Sequence, residues 1–228
     1  EPILTDSDPQ KISFNRAILW QRVTRTDVPK GWYCFSKKSP RLEGYAELFS
    51  EDEYWKRWSE SARRYRRKWL QEYSHAYSIE HVSLEEFATV YLKSPAAKIV
   101  KSALLDIIKR KIASPQRGHV ELFCARNIQS GEIVAGMATV TSPICRGSHY
   151  ITGFVQPDRA PESAMVGLMD YWFSRSQTNS IRFLSFGGFW TKRDPKNWKG
   201  FSQFKAKFGL FYIQYPPTLV HFMRGRLF

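Results

Sequence analysis

From Ala76 onward the apolar residues of this 228-residue chain switch between a period of two and a period near 3.6, in an order that calls for a mixed sheet with helices but that many sheets could share. A strand is predicted over residues 76–82. Ser83 with Glu86 three residues on caps a helix running to Leu92. A second helix spans 97–112, with Val100, Ala103, Leu104, Ile107 and Ile108 expected to face inward. Three strands follow at 119–128, 133–141 and 148–155, the first two joined by Gln129-Ser130-Gly131-Glu132, a tight hairpin turn. A helix at 164–176 presents Val166, Leu168, Met169, Trp172 and Phe173 as apolar contacts. The strand at 181–186 is so apolar that burial on both faces is expected. A helix at 201–208 ends at Gly209, the usual residue after a helix C-terminus, and strands at 210–215 and 218–222 flank Pro216-Pro217. Such a mixed run gives an α/β (α+β) sheet with helices packed on its faces.

The first part of the chain reads differently. Residues 1–13 are polar. Residues 14–23 and 31–36 read as a strand pair, separated by a charged stretch that contains Pro29. Residues 50–73 form the clearest helical pattern, with Ser50 and Glu53 as a capping box and Trp55, Trp58, Ala62, Tyr65, Trp69 and Tyr73 on one face. Arg63, Arg64, Arg66, Arg67 and Lys68 crowd its C-terminal end, where cations suit the helix dipole. A solvated face is the favoured reading of this cluster. A surface that tracks phosphates, with aromatics to stack on bases, is the other. The expected organisation is therefore an N-terminal strand pair and long helical arm over 1–75, and a sheet domain over 76–228.

Charge narrows the partners. The formal net charge of +14 implies an anionic one: nucleic acid, a nucleotide, or peripheral contact with an acidic membrane face. Cys34, Cys124 and Cys145 are odd in number and widely spaced, and no two of the five histidines stand four residues apart, so neither a disulfide framework nor a metal site is expected. No apolar run approaches the ~20 residues of a membrane span, and a cytoplasmic location is the default expectation.

Four segments, in order, carry a resemblance to a known family. Gly131-Glu132-Ile133-Val134-Ala135-Gly136 resembles the turn and third strand of GNAT acyltransferases, "gly-x-x-val-ala-gly". Tyr150 through Phe154, then Ala160-Pro161 before a helix, resembles strand four and helix three of the Fem-like branch. Phe183 through Gly188, ending Phe186-Gly187-Gly188, resembles its "leu-asp-phe-gly-gly" strand end. Trp198 through Gly209 resembles its "gly-x-x-x-phe-lys-x-x-phe-gly" signature. The resemblance covers about the last two-thirds of the chain. It implies a single GNAT-like mixed sheet whose fourth and fifth strands, here 148–155 and 181–186, splay apart around the acyl donor. It further implies an aminoacyltransferase that moves an amino acid from aminoacyl-tRNA to an acceptor amine, as in peptidoglycan biosynthesis, and that uses no cofactor.

The chain departs from the acyl-CoA-dependent members where their pyrophosphate loop should be. That loop is rich in glycine, and its backbone N–H groups at a helix N-terminus bind phosphate. Here Gln156-Pro157-Asp158-Arg159-Ala160-Pro161-Glu162-Ser163 has no glycine, two prolines that cannot donate and two carboxylates that repel phosphate. Two further departures are Ser185 at the acidic position of the strand-five motif and room for only one GNAT-like domain.

The resemblance places Lys205 at the reacting ester, Phe204 against the terminal base of the tRNA, and an oxyanion-donating amide near Gly153 or Phe154. Lys192, Arg193, Lys199 and Lys207, with Lys196, offer charge to a phosphate backbone. Phe201 and Phe208 read more simply as the apolar face of a short helix. Asp158, Glu162 and Asp170 stay open as general bases, each equally readable as a surface or capping carboxylate. Two alternatives stay open beside this reading: an N-acyltransferase (N-acetyltransferase) using acyl-CoA through a noncanonical loop, and a non-catalytic RNA-binding GNAT-like protein.

Overall fold

The computed structural model describes residues 10–14, 17–21, 28–34, 41–49, 53–95, 98–114, 118–142, 144–192, 196–216 and 219–222. These divide into two compact units, one drawn from Tyr45–Gly187 and Lys205–Phe211, the other from Glu1–Gly44, Gly188–Phe204 and Tyr212–Phe228. The strands are β1 (Gln10–Phe14), β2 (Ala17–Gln21), β3 (Tyr33–Cys34), β4 (Arg41–Glu47), β5 (Tyr77–His81), β6 (His119–Asn127), β7 (Ile133–Ser142), β8 (Gly147–Val155), β9 (Phe183–Gly188), β10 (Phe211–Tyr215) and β11 (Leu219–Phe222). The α-helices are α1 (Glu60–Lys68), α2 (Leu84–Lys93), α3 (Lys98–Ile112), α4 (Ala164–Thr178) and α5 (Lys199–Lys205). A four-stranded sheet has the order β1-β2-β11-β3, and a seven-stranded mixed sheet the order β10-β4-β9-β8-β7-β6-β5.

The N-terminal strands differ from expectation. The stretch read as one strand over 14–23 holds β2, while β1 is an addition that falls mainly on residues read only as polar; the two pair antiparallel from Gln10↔Gln21 to Phe14↔Ala17. The C-terminal β11 then pairs with both β2 and β3, so the two expected partners are not neighbours. Strand β4 is an addition: Gly44 and the charged Arg41, Glu43 and Glu47 dilute its apolar signal.

In the larger unit, alternate residues of β6 face opposite layers. Leu122 and Cys124 join Phe87 and Tyr91 of α2 and Leu105 and Ile108 of α3 in one core. Phe123 instead meets Tyr171 of α4 at 5.3 Å, and Glu121 binds Arg175 of α4 at 2.7 Å. Helix α2 is capped as expected, with Ser83 Oγ accepting from the Glu86 N–H. The β6–β7 turn also forms, with Asn127 Oδ1 accepting from the Gln129 and Ser130 amides.

Helix α3 is rotated in part from the predicted face. Leu104 and Ile108 meet the core as predicted, but Val100 and Ile107 are 42% and 43% exposed, and Lys101 and Leu105 are buried in their place. The reason is the end of α2. Lys101 Nζ donates to the Leu92 and Ser94 carbonyls, both at 2.6 Å, and so satisfies groups that the helix terminus leaves without partners.

The basic helical stretch is three pieces: a 3-10 turn at Tyr54–Arg57, then α1 with Ser59 as its cap, then a π turn at Trp69–Tyr73. Ser50 lies outside the described residues. The interruption lets Tyr54, Trp58, Ala62 and Trp69 all reach the core. The Tyr54 hydroxyl donates to Asp170 Oδ1 at 2.8 Å, and Arg66 Nε binds the same oxygen at 2.6 Å. Trp69 lies flat on Gly167, where a Cβ atom would overlap its indole. The strand β9 alternates between buried and half-buried residues, rather than being buried on both faces. Leu184 and Phe186 point into the core; Phe183 and Ser185 do not.

Burial pushes the Cys124 thiol up to about 12, with the Glu86 carboxylate adding and Arg126 opposing. Burial likewise raises the Tyr54 and Tyr150 phenols. Groups whose folded pKa is raised hold their protons longer in the native state. Their contribution is intact below the unfolded pKa of ~8.5 to 10 and is lost as pH rises. Through these three groups the urea-unfolding free energy is expected to fall from about pH 8.5 towards pH 12. Cys124→Ala should remove part of that slope.

Candidate active site

Strands β8 and β9 run parallel and pair over only three rungs: Gly147↔Phe183, Ser148↔Leu184 and His149↔Ser185. Beyond the last rung β8 continues, held on its other edge by β7, and a gap opens between it and β9. This is the splay expected between 148–155 and 181–186.

A β-bulge aims the residues at that opening. Thr139 faces Tyr150 but Ala138 faces Thr152, so Ile151 is an extra residue in β8. Before the bulge, Ser148 Oγ accepts from Trp172 Nε1 of α4 at 2.9 Å, and the Tyr150 ring lies 6.4 Å from the Trp172 ring. After it, Thr152 Oγ1 bonds the Tyr91 hydroxyl at 2.9 Å, and Phe154 packs 5.4 Å from Phe87 of α2. Gly153 therefore shares the Tyr150 side. A Cβ there would stand 2.9 Å from the Tyr150 hydroxyl and 3.1 Å from Met165 Cε, so glycine keeps that corner open. Burial and the nearby Tyr91 hold the Tyr150 phenol above its usual range.

Lys205 completes the corner. Its Nζ donates to the Phe186 carbonyl at 2.6 Å, just past the last rung, and stands 5.2 Å from the centre of the Tyr150 ring. The segment that follows anchors it. Phe208 is buried 4.9 Å from Trp58 and 5.7 Å from Phe186. Gly209 adopts φ +67°, and a Cβ there would come within 2.7 Å of the Arg57 carbonyl. The predicted helix stop at Gly209 is thus present. The predicted packing of Phe201 is not: it is 59% exposed, because α5 ends at Lys205 and the chain tightens into a 3-10 turn over Ala206–Phe208, breaking the shared stripe.

The loop between β8 and α4 closes on itself. The Arg159 and Ala160 amides both donate to the Gln156 carbonyl, at 3.1 and 2.9 Å, and the Ala164 amide donates to Pro161. Arg159 binds Glu132 at 2.6 Å. With Pro157 and Pro161 lacking N–H groups and Asp158 and Glu162 exposed, these residues do not fit the pyrophosphate of a CoA thioester.

No family model matches the chain, and no curated protein matches it in sequence. Solved structures do match in shape. FemX superposes with a TM-score of 0.64 at 12% identity, over 85% of this chain and 66% of that one. L-PGS from Bacillus licheniformis gives 0.54 at 14%, over 86% and 63%. The fold is that of FemX and the GNAT acyltransferases. A tandem GNAT protein from the clavulanic acid biosynthesis pathway adds a TM-score of 0.50 at 10% identity, over 82% of this chain and 54% of that one. The chain thus spans just under two thirds of the length of FemX and of L-PGS.

Within this GNAT frame the expected residues distribute unevenly. Lys205, Gly153 and Phe154 lie in the larger unit, and Tyr150 touches the first two; the Phe154 side chain is core. Lys207 is half-buried there, its carbonyl accepting from the Ser59 N–H at 2.8 Å. Phe204, Lys199 and Lys192 belong to the smaller unit, where Lys199 Nζ stands 5.6 Å from the centre of the Trp190 ring and Lys192 is exposed. Arg193 lies outside the described residues. Asp170 is held between Tyr54 and Arg66, which gives it a structural role. Sequence reasoning did not single out the Tyr150 ring beside Lys205 or the pairing of His149 with Ser185. The available signals were the Tyr150-x-x-Gly153 spacing and the replaced acid at Ser185. Among the described residues no helix is long and apolar enough to cross a membrane.

Proposed function

We propose that the protein transfers an aminoacyl group from the 3′ end of a charged tRNA to an acceptor amine. The observation that carries this reading is the Lys205 ammonium held at the Phe186 carbonyl, beside Tyr150, where β8 and β9 part. In the reaction the amine attacks the ester carbonyl and negative charge builds on its oxygen. A fixed ammonium and a β8 amide near Gly153 or Phe154 are suited to receive that charge, the kind of preorganised donor that contributes several kcal/mol. The ribose hydroxyl leaves. The closed Gln156–Ser163 loop supports a donor other than acyl-CoA. The Fem-like resemblance makes the amine of a peptidoglycan precursor the first acceptor to test.

The deciding experiment is transfer of label from a pool of charged tRNAs to amine acceptors by the purified protein. Label transfer from acetyl-CoA but not from tRNA would replace this reading with the acyl-CoA one.

The lysines Lys192 and Lys199 are assigned to the phosphate backbone. Replacing either by alanine should weaken binding of all tRNAs alike and reduce the slope of log K against log salt by about 1. A filter-binding titration across salt concentrations measures this; unchanged slopes would remove both from the contact set.

A further inference from the structure

We propose that His149 is the base that takes the proton from the acceptor amine, and that Ser185 positions its ring. The assignment rests on the aminoacyl-transfer reading above. His149 is the last β8 residue paired with β9, so it stands at the vertex of the splay. Its neighbours Ser148 and Tyr150 both meet Trp172 of α4. Successive strand residues face opposite sides, so His149 emerges on the face away from α4. On β9, Ser185 alternates in the same way between buried Leu184 and Phe186, and Phe186 lies 5.3 Å from Trp172. Lys205 and Tyr150 thus serve one side of the gap, and His149 and Ser185 the other. An ester and an amine can approach the vertex from opposite sides.

The imidazole is held in place. Its Nδ1 bonds Ser185 Oγ at 2.9 Å, and that oxygen also accepts from the Gly187 amide at 3.3 Å. Gly187 has φ +67°, and a Cβ there would lie 3.4 Å from His149 Cε1, so glycine leaves room for the ring. The imidazole itself is exposed and can meet an incoming amine. The carboxylates weighed from sequence are placed elsewhere. Asp170 is tied to Tyr54 and Arg66, and Asp158 and Glu162 lie in the loop beyond the far end of β8.

The proton balance is simple. With Nδ1–H donating to Ser185, Nε2 takes the extra proton of the acceptor ammonium before attack and afterwards releases it to solvent. The freed amine attacks, the C–N bond forms and the ester C–O bond breaks, and the second nitrogen proton passes to the departing ribose oxygen. No oxidant or further co-reactant is needed.

The test compares two acceptors, with charged tRNA as donor: a primary amine such as glycinamide, largely protonated at neutral pH, and hydroxylamine, which is a free base there. His149→Ala should lower kcat for glycinamide by about 100-fold, with KM for charged tRNA unchanged. Its transfer to hydroxylamine should stay close to wild type, and added imidazole should restore part of the lost rate. Ser185→Ala should lose about tenfold towards glycinamide, and Ser185→Thr should recover it. Equal loss towards both acceptors, no loss towards either, or label retained covalently on Ser185 would each overturn the assignment. No transfer by the wild-type protein to either acceptor overturns the aminoacyl-tRNA reading, and this assignment with it.

Discussion

Lys205→Ala is expected to lower the rate of aminoacyl transfer by about 10²–10³-fold and to leave the protein folded. The ammonium donates to the Phe186 carbonyl and stands beside the face of the Tyr150 ring. A cation held at this place is suited to an oxygen that becomes negative, in a corner with the half-buried Tyr150 phenol. Removing a preorganised donor of this kind costs on the order of 3–4 kcal/mol in the transition state. Stability should change far less, because Phe208 and Gly209, not Lys205, lock the segment to Trp58, Phe186 and Arg57. Lys205→Arg should restore only part of the rate, since a planar guanidinium does not place a point charge where the ammonium sits. Single-turnover transfer from charged tRNA measures the effect. Equal rates for wild type and Lys205→Ala would remove Lys205 from the chemistry.

Asp170→Ala should destabilise the fold by about 3 kcal/mol or more. The carboxylate is 12% exposed and its partner Arg66 21%, so solvent screens the pair only weakly. The same oxygen accepts the proton of the Tyr54 hydroxyl, whose acidity is suppressed by burial first and by Asp170 second. The substitution leaves the half-buried Arg66 guanidinium without its carboxylate and the buried Tyr54 hydroxyl with only the longer contact to the Asp170 carbonyl, at 3.2 Å. The loss should fall on the contact between α1 and α4, and hence on the Trp58 seat that receives Phe208. Asp170→Asn keeps an acceptor for Tyr54 and should cost less. Urea unfolding monitored by tryptophan fluorescence provides the measurement. A loss under about 1 kcal/mol would mean the triad is no more than a surface ion pair.

Much of this arrangement was legible in the sequence, because long periodic segments and turn chemistry are local properties. The order of elements from Ala76, the cap at Ser83, the Gln129–Glu132 turn and the stop at Gly209 all follow from neighbours along the chain. What was not legible depends on contacts distant in sequence. The rotation of α3 is set by Lys101 meeting the end of α2. The break after Arg57 is set by Tyr54 reaching a carboxylate 116 residues away. The insertion of β11 between β2 and β3 joins the two ends of the chain. The Lys205 that meets the Phe186 carbonyl stands in the Phe-Lys motif read from the sequence. The bulge at Ile151, which turns Tyr150 and Thr152 to opposite faces, leaves no mark on an alternating strand pattern, and the pairing of His149 with Ser185 needs the two strands side by side.

Matched charged and uncharged tRNA, titrated at low salt against the purified protein, test the central claim most directly. The account predicts binding of charged tRNA that Lys205→Ala weakens, with the uncharged form bound less well. No affinity for tRNA at low salt would contradict it. Equal affinity for both forms, unaffected by Lys205→Ala, would leave only an RNA-binding protein with the same fold.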